Sequence, residues 1–152
     1  MFFIDEIKKY GDKKIRLFVD MDGVIADYNV GVARDYDKKR PLLSSIAKLE
    51  EISKLDNVEM YILSITRETI GRKEENDWLD IYAPFFKKEN RIIISREENN
   101  YTKSRILKNR YFTKLDRDDS LIIFIEDDPS ILRDIMTSNK DVILYKDTAL
   151  VD

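Results

Sequence analysis

The chain has 152 residues, of which 43% are hydrophobic and 38% charged, and its net charge is −3. That balance describes one globular domain with a sizeable core. It excludes a disordered chain and argues against indiscriminate coating of nucleic acid. There is no cysteine and no histidine, which excludes disulfides, thiolate nucleophiles, serine–histidine hydrolysis and zinc held by either residue. Any catalysis falls to carboxylates, hydroxyls, lysine and arginine, and the fitting metal is a hard cation with oxygen ligands.

The N-terminal Met1-Phe2-Phe3-Ile4 runs straight into Asp5 and Glu6. It lacks the basic and long apolar regions of a secretory signal, and no apolar run approaches the length of a membrane span. A cytoplasmic protein without membrane contact is expected. Residues 1–14 read as a short helix or arm broken at Gly11-Asp12. Ile15-Arg16-Leu17-Phe18-Val19 reads as a buried strand that ends in Asp20-Met21-Asp22-Gly23. A mixed stretch leads to Pro41. Leu42, Ile46, Leu49, Ile52 and Leu55 then recur at helical spacing, with Pro41 suited to a first turn.

Met60–Ser64 is the second predicted strand, followed by a loop through Thr66-Arg67-Glu68-Thr69 and Gly71. A helix over 73–82 offers Trp78, Leu79, Ile81 and Tyr82 for packing. Arg91–Ser95 is the third strand. Thr102–Phe112 is the next helix, with Ile106, Leu107 and Tyr111 toward the core. Leu121–Ile125 is the fourth strand and ends in Glu126-Asp127-Asp128. Asp128 is the expected N-cap of a helix opened by Pro129, whose apolar side is Ile131, Leu132, Ile135 and Met136. Asp141–Tyr145 is the fifth strand.

Short apolar strands alternating with helices predict an α/β fold with a parallel sheet. No repeat or linker divides the chain, so one domain over 1–152 is expected. In a parallel sheet the strand C-termini share one edge, where ligands bind. Asp20, Asp22, Ser64 and the acids 126–128 would meet there. Converging carboxylates repel unless a divalent cation sits among them, and Mg²⁺ suits such ligands. Phosphoryl transfer then has its parts: a carboxylate to attack phosphorus, a metal to neutralise charge, a second carboxyl to move a proton, and a hydroxyl and a lysine to hold phosphate oxygens. From Lys87 to Arg117, ten basic residues stand against four acidic ones, a local bias that suits an anionic ligand.

Four motifs in order resemble those of the haloacid dehalogenase-like phosphohydrolases, and they cover nearly the whole chain. They are Phe18-Val19-Asp20-Met21-Asp22-Gly23-Val24, Ile62-Leu63-Ser64, Lys103, and Ile123-Phe124-Ile125-Glu126-Asp127-Asp128. The resemblance implies a three-layer Rossmann-like sheet of order 5-4-1-2-3. It implies Asp20 as nucleophile and Asp22 as acid/base, with Mg²⁺ held by Asp20, the Asp22 carbonyl and Asp127, assisted by Glu126 or Asp128. Ser64 and Lys103 would bind phosphate, Lys108 being the competitor to Lys103. The opening motif through Tyr28, and Trp78-Leu79-Asp80-x-Tyr82, are similar to the 5′(3′)-deoxyribonucleotidase group. That group carries its phosphate-binding lysine three residues before the tryptophan, where this chain has Glu75 and the nearest lysine is Lys73. The stretch 96–103 resembles the phosphatase domain of phage-type polynucleotide kinase/phosphatases. Arg67 is a further candidate for substrate contact. The segment of about 26–40 leaves room only for a small cap. The expected substrate is a small phosphorylated molecule, a nucleotide foremost, with a polynucleotide 3′-phosphate end as the alternative. A non-catalytic phosphoryl-binding protein is the alternative of another class.

Overall fold

The computed structural model describes residues 2–27 and 36–151. Five strands form one wholly parallel sheet: β1 (Ile15–Val19), β2 (Val58–Thr66), β3 (Arg91–Ser95), β4 (Leu121–Glu126) and β5 (Ile143–Lys146). Their order is β3-β2-β1-β4-β5, which is the expected 5-4-1-2-3 read from the other edge. The helices are α1 (Phe3–Lys8), α2 (Leu43–Ser53), α3 (Ile70–Tyr82), α4 (Ser104–Lys114) and α5 (Pro129–Ser138).

The central strand shows why the fold has three layers. Ile15, Leu17 and Val19 pack into a core with Phe3 and Ile7 of α1, Leu49 and Ile52 of α2, and Trp78 and Leu79 of α3. Phe18, between them in sequence, packs on the opposite face with Phe112 of α4 and Ile131 and Ile135 of α5. Neighbours in a strand point to opposite faces, so a strand covered on both sides must be apolar at successive positions. Phe18 also stacks on Tyr61 of β2 at 4.6 Å between ring centroids. Among the described residues no helix is long and apolar enough to cross a membrane.

Several local expectations are corrected. β2 continues two residues past Ser64, because Ile65 and Thr66 find ladder partners in Ile94 and Ser95 of β3. Pro41 is outside α2; it forms an antiparallel bridge with Ala26, and Leu42 takes the cap position. Asp27 N donates to Arg40 O at 2.8 Å and Leu42 N to Ile25 O at 2.8 Å. The chain therefore leaves and re-enters the body through a paired stem. The cap is expected at about 26–40, and of that stretch residues 28–35 lie outside the described ones. Ile81, Ile106 and Met136, whose spacing places them toward the core, are exposed. In α4 the inward phase is set by Lys108 and Phe112, four residues apart, which turns Ile106 to the surface.

Candidate active site

Asp20 immediately follows β1, and its N–H donates to Ile125 O of β4 at 3.0 Å. Glu126 closes β4, so these two carboxylates stand side by side at the C-terminal edge of the central strands. Both are buried. Lys108 reaches them from α4 and is also buried. Its Nζ donates to Asp20 Oδ1 at 2.9 Å and to Glu126 Oε1 at 2.5 Å. Burial pushes the Asp20 carboxyl well above the ordinary carboxylate range; the Lys108 ammonium opposes this and Glu126 adds to it. Burial draws the Lys108 amine down, but Asp20 and Glu126 outweigh it and leave the amine above its ordinary value. Lys108 is therefore a fixed positive charge clamped between two acids.

Oxygens of Asp20, Glu126 and Asp127 all lie within 4.8 Å of one another. Glu126 has little coordinating capacity left. Its Oε1 accepts from Lys108, and its Oε2 accepts from the Asp127 and Asp128 backbone N–H groups at 2.9 and 3.3 Å. The Asp127 carboxyl is half-buried. Burial raises it; hydrogen bonding at Glu126 opposes this and the Asp20 charge adds to it. Gly23 is what gives Asp127 its place: a Cβ there would come within 2.0 Å of Asp127 Oδ2, and its φ of +80° favours glycine as well. The carboxylates of Asp20 and Asp127, which repel one another and have no nitrogen or sulfur ligand beside them, fit a hard cation such as Mg²⁺. Asp128 serves elsewhere, accepting from Ser130 N and Ser130 Oγ at 2.8 Å as the N-cap of α5.

Asp22 faces a different set of partners. Its Oδ1 accepts from Tyr36 OH at 2.8 Å and from Lys39 Nζ at 2.7 Å. Lys39 is buried, and its carbonyl accepts from Trp78 Nε1 at 3.0 Å. Trp78 thus ties the Lys39 backbone to α3. Beside Asp22 is a cavity of about 200 Å³.

Ser64 is buried and its Oγ donates to Glu75 Oε1 at 2.6 Å. Glu75 of α3 is itself buried. Burial pushes its carboxyl up to about 8; the Ser64 hydroxyl opposes this, while Asp22 and Asp20 add to it. The other expected cations are elsewhere. Lys103 is exposed at the N-cap of α4, and Lys73 is exposed and paired with Asp77 at 2.6 Å. Neither is hydrogen-bonded or ion-paired to the acidic cluster, where Lys108 stands instead. Arg67 is exposed at the cavity wall; its carbonyl accepts from Glu97 N at 3.0 Å, and its guanidinium has no partner among the described residues. Lys108 had a sequence signal in its phase, one helical turn from Phe112. Glu75 stands where the resembled nucleotidase group carries a lysine, a signal of place though not of partner; Tyr36 and Lys39 had none, since each meets the site only through tertiary contacts.

No family model and no curated protein matches the sequence. Solved structures do match the fold. Two are of the Pnkp1/Rnl/Hen1 complex, described in one case as an RNA repair complex. They give TM-scores of 0.68 and 0.66 at 16% identity, over 90% of this chain and 46% and 43% of those chains. This chain thus spans less than half their length. The class C acid phosphatase from Bacillus anthracis with tungstate bound gives 0.59 at 16% identity, over 96% of this chain and 72% of that one. The N-terminal part of BF1531 from Bacteroides fragilis, containing a phosphatase domain complexed with Mg, gives 0.54 at 16% identity, over 93% and 38%.

Proposed function

We propose that this chain, which has the haloacid dehalogenase-like fold, is a Mg²⁺-dependent phosphomonoester hydrolase. The observation that carries the reading is the buried Asp20–Lys108–Glu126 cluster at the sheet edge, with Asp127 beside it. Lys108 fixes Asp20 through Oδ1, which leaves Oδ2 to attack phosphorus. The new bond is an aspartyl-phosphate, and the bond that breaks is that between phosphorus and the ester oxygen. Asp22 gives the departing oxygen its proton. It then takes a proton from the water that attacks phosphorus, releasing inorganic phosphate and free Asp20. Lys39 and Tyr36 hold Asp22 by one oxygen through both steps. Lys108 also faces the phosphate as the fixed cation, the part expected of Lys103 or Lys73. Ser64 serves the phosphate by turning its hydroxyl from Glu75, a rotation that exchanges one hydrogen bond for another.

Asp20, Asp127 and the Asp22 carbonyl would hold Mg²⁺, while Glu126 holds Lys108. The cation would supply charge neutralisation at the phosphate oxygens. The stem at Ala26 and Pro41 carries a small cap, and the leading substrate is a nucleoside monophosphate. A second reading, the 3′-phosphate of a polynucleotide end, draws support from the likeness to the Pnkp1/Rnl/Hen1 complex and from the uncommitted Arg67.

The test is p-nitrophenyl phosphate hydrolysis with Mg²⁺ and with chelator, followed by a screen of nucleotides and 3′-phosphorylated oligonucleotides. Metal-dependent turnover is expected, lost by at least about a thousandfold in Asp20→Asn. Folded protein that turns over no ester in any divalent metal overturns the reading.

A further inference from the structure

The cavity beside Asp22 has no part yet in the chemistry, although its position assigns it one. A leaving oxygen that takes its proton from Asp22 must lie within hydrogen-bond reach of that carboxyl. The rest of the leaving group then occupies the adjoining space of about 200 Å³, which admits a sugar ring.

The lining decides what kind of group is accepted. Tyr36, Ile65 and Ile70 supply apolar surface. Of the two lining cations among the described residues, Lys39 is committed to Asp22, which leaves Arg67 for an anion. Against it stand Glu68, Glu74 and Glu75. A second phosphate would meet three carboxyl groups and one arginine, an unfavourable exchange for its hydration. Neutral hydroxyl groups meet the same wall as hydrogen-bond partners.

Glu75 is the most constrained member of that wall. It is 4% exposed, and Ser64 fixes its Oε1 at 2.6 Å. When Ser64 turns its hydroxyl to the phosphate, Glu75 Oε1 gives up that donor in a place with little access to water. A buried acceptor left without a donor is costly, so a leaving-group hydroxyl that replaces the Ser64 bond gains more than an exposed contact would.

We infer that this cavity seats the leaving group and selects phosphate monoesters of polyhydroxylated alcohols, with Glu75 as the residue that reads a leaving-group hydroxyl. The inference rests on the phosphatase reading and on Asp22 as proton donor. It narrows the substrate class to sugar phosphates, nucleotides among them through their sugar.

The experiment compares kcat/KM for ribose 5-phosphate and n-butyl phosphate in the full chain with Mg²⁺. Both are alkyl esters with the same phosphate, so their ratio reads the cavity. The ratio is expected to exceed about tenfold in the unmodified protein, as for a site built to bond a hydroxyl that its competitor lacks. In Glu75→Leu, which removes the carboxyl group and keeps similar bulk, the ratio should fall to within about threefold of unity; Glu75→Gln, whose amide still hydrogen-bonds, should restore most of it. Equal rates on the two esters in the unmodified protein overturn the inference whether or not the variants fold. So does a ratio unchanged in folded Glu75→Leu. Either result, with p-nitrophenyl phosphate still hydrolysed, leaves the phosphatase reading standing. Absence of turnover on every ester overturns both.

Discussion

At the scale of single residues the site is a problem in charge placement. Asp20 and Glu126 are too deeply buried to be held as anions by water, and Lys108 is the side chain that bonds to both. Replacing one partner of a buried ion cluster costs far more than replacing an exposed pair, because the remaining charges stay dehydrated. Lys108→Met should therefore destabilise the fold by about 3 kcal/mol at neutral pH, read from urea unfolding; a change under about 1 kcal/mol would show that the cluster is not held by its cation. Glu75 gives a second measurable charge effect. Its carboxyl titrates near 8 in the folded chain and in the ordinary carboxylate range, about 4.3, when unfolded. Between those values the folded state binds more protons than the unfolded state, so stability falls as pH rises through that window. The midpoint of thermal unfolding should therefore drop more steeply from pH 5 to pH 8 in the unmodified protein than in Glu75→Gln, measured with chelator present. Parallel curves would place the Glu75 carboxyl in ordinary solvent.

At the scale of elements, each strand and helix is fixed by its own sequence and then adjusted by its neighbours. The five strand positions follow from short apolar runs, and α5 follows from Asp128-Pro129, a side-chain cap followed by a proline that needs no N–H partner. Asp128→Ala removes the acceptor for Ser130 N and Ser130 Oγ and should cost about 1 kcal/mol while activity remains. Loss of activity with unchanged stability would instead place Asp128 among the metal ligands. The differences from expectation share one cause. β2 is longer than its apolar run because β3 offers it two more ladder positions. Pro41 joins a bridge because Ala26 lies opposite. α4 turns Ile106 outward because a lysine occupies its inward face. In each case a partner distant in sequence decides between local conformations of similar energy.

At the scale of the whole molecule, the parallel sheet gathers the ends of β1 and β4 onto one edge and so brings together acids more than a hundred residues apart in sequence. A cation that binds this folded arrangement and not the open chain stabilises it by mass action, about 2.7 kcal/mol at a hundredfold excess over Kd. The unfolding midpoint should rise with Mg²⁺, and Asp127→Asn should flatten that dependence; a midpoint indifferent to millimolar Mg²⁺ would refute the site. The sequence by itself determined the layered α/β fold, the strand order through its motif resemblance, and the candidate acids Asp20, Asp22 and Asp127, because apolar runs and adjacent carboxylates are local patterns. It also excluded histidine and cysteine chemistry outright. Only the tertiary structure decided that Lys108, rather than Lys103 or Lys73, meets Asp20, that Lys39 and Tyr36 hold Asp22, and that Ser64 faces Glu75. The physical reason is that a lysine's identity says nothing of its direction. Helix phase and the packing of a distant segment aim the ammonium, and the energy of a buried charge depends on what it is aimed at.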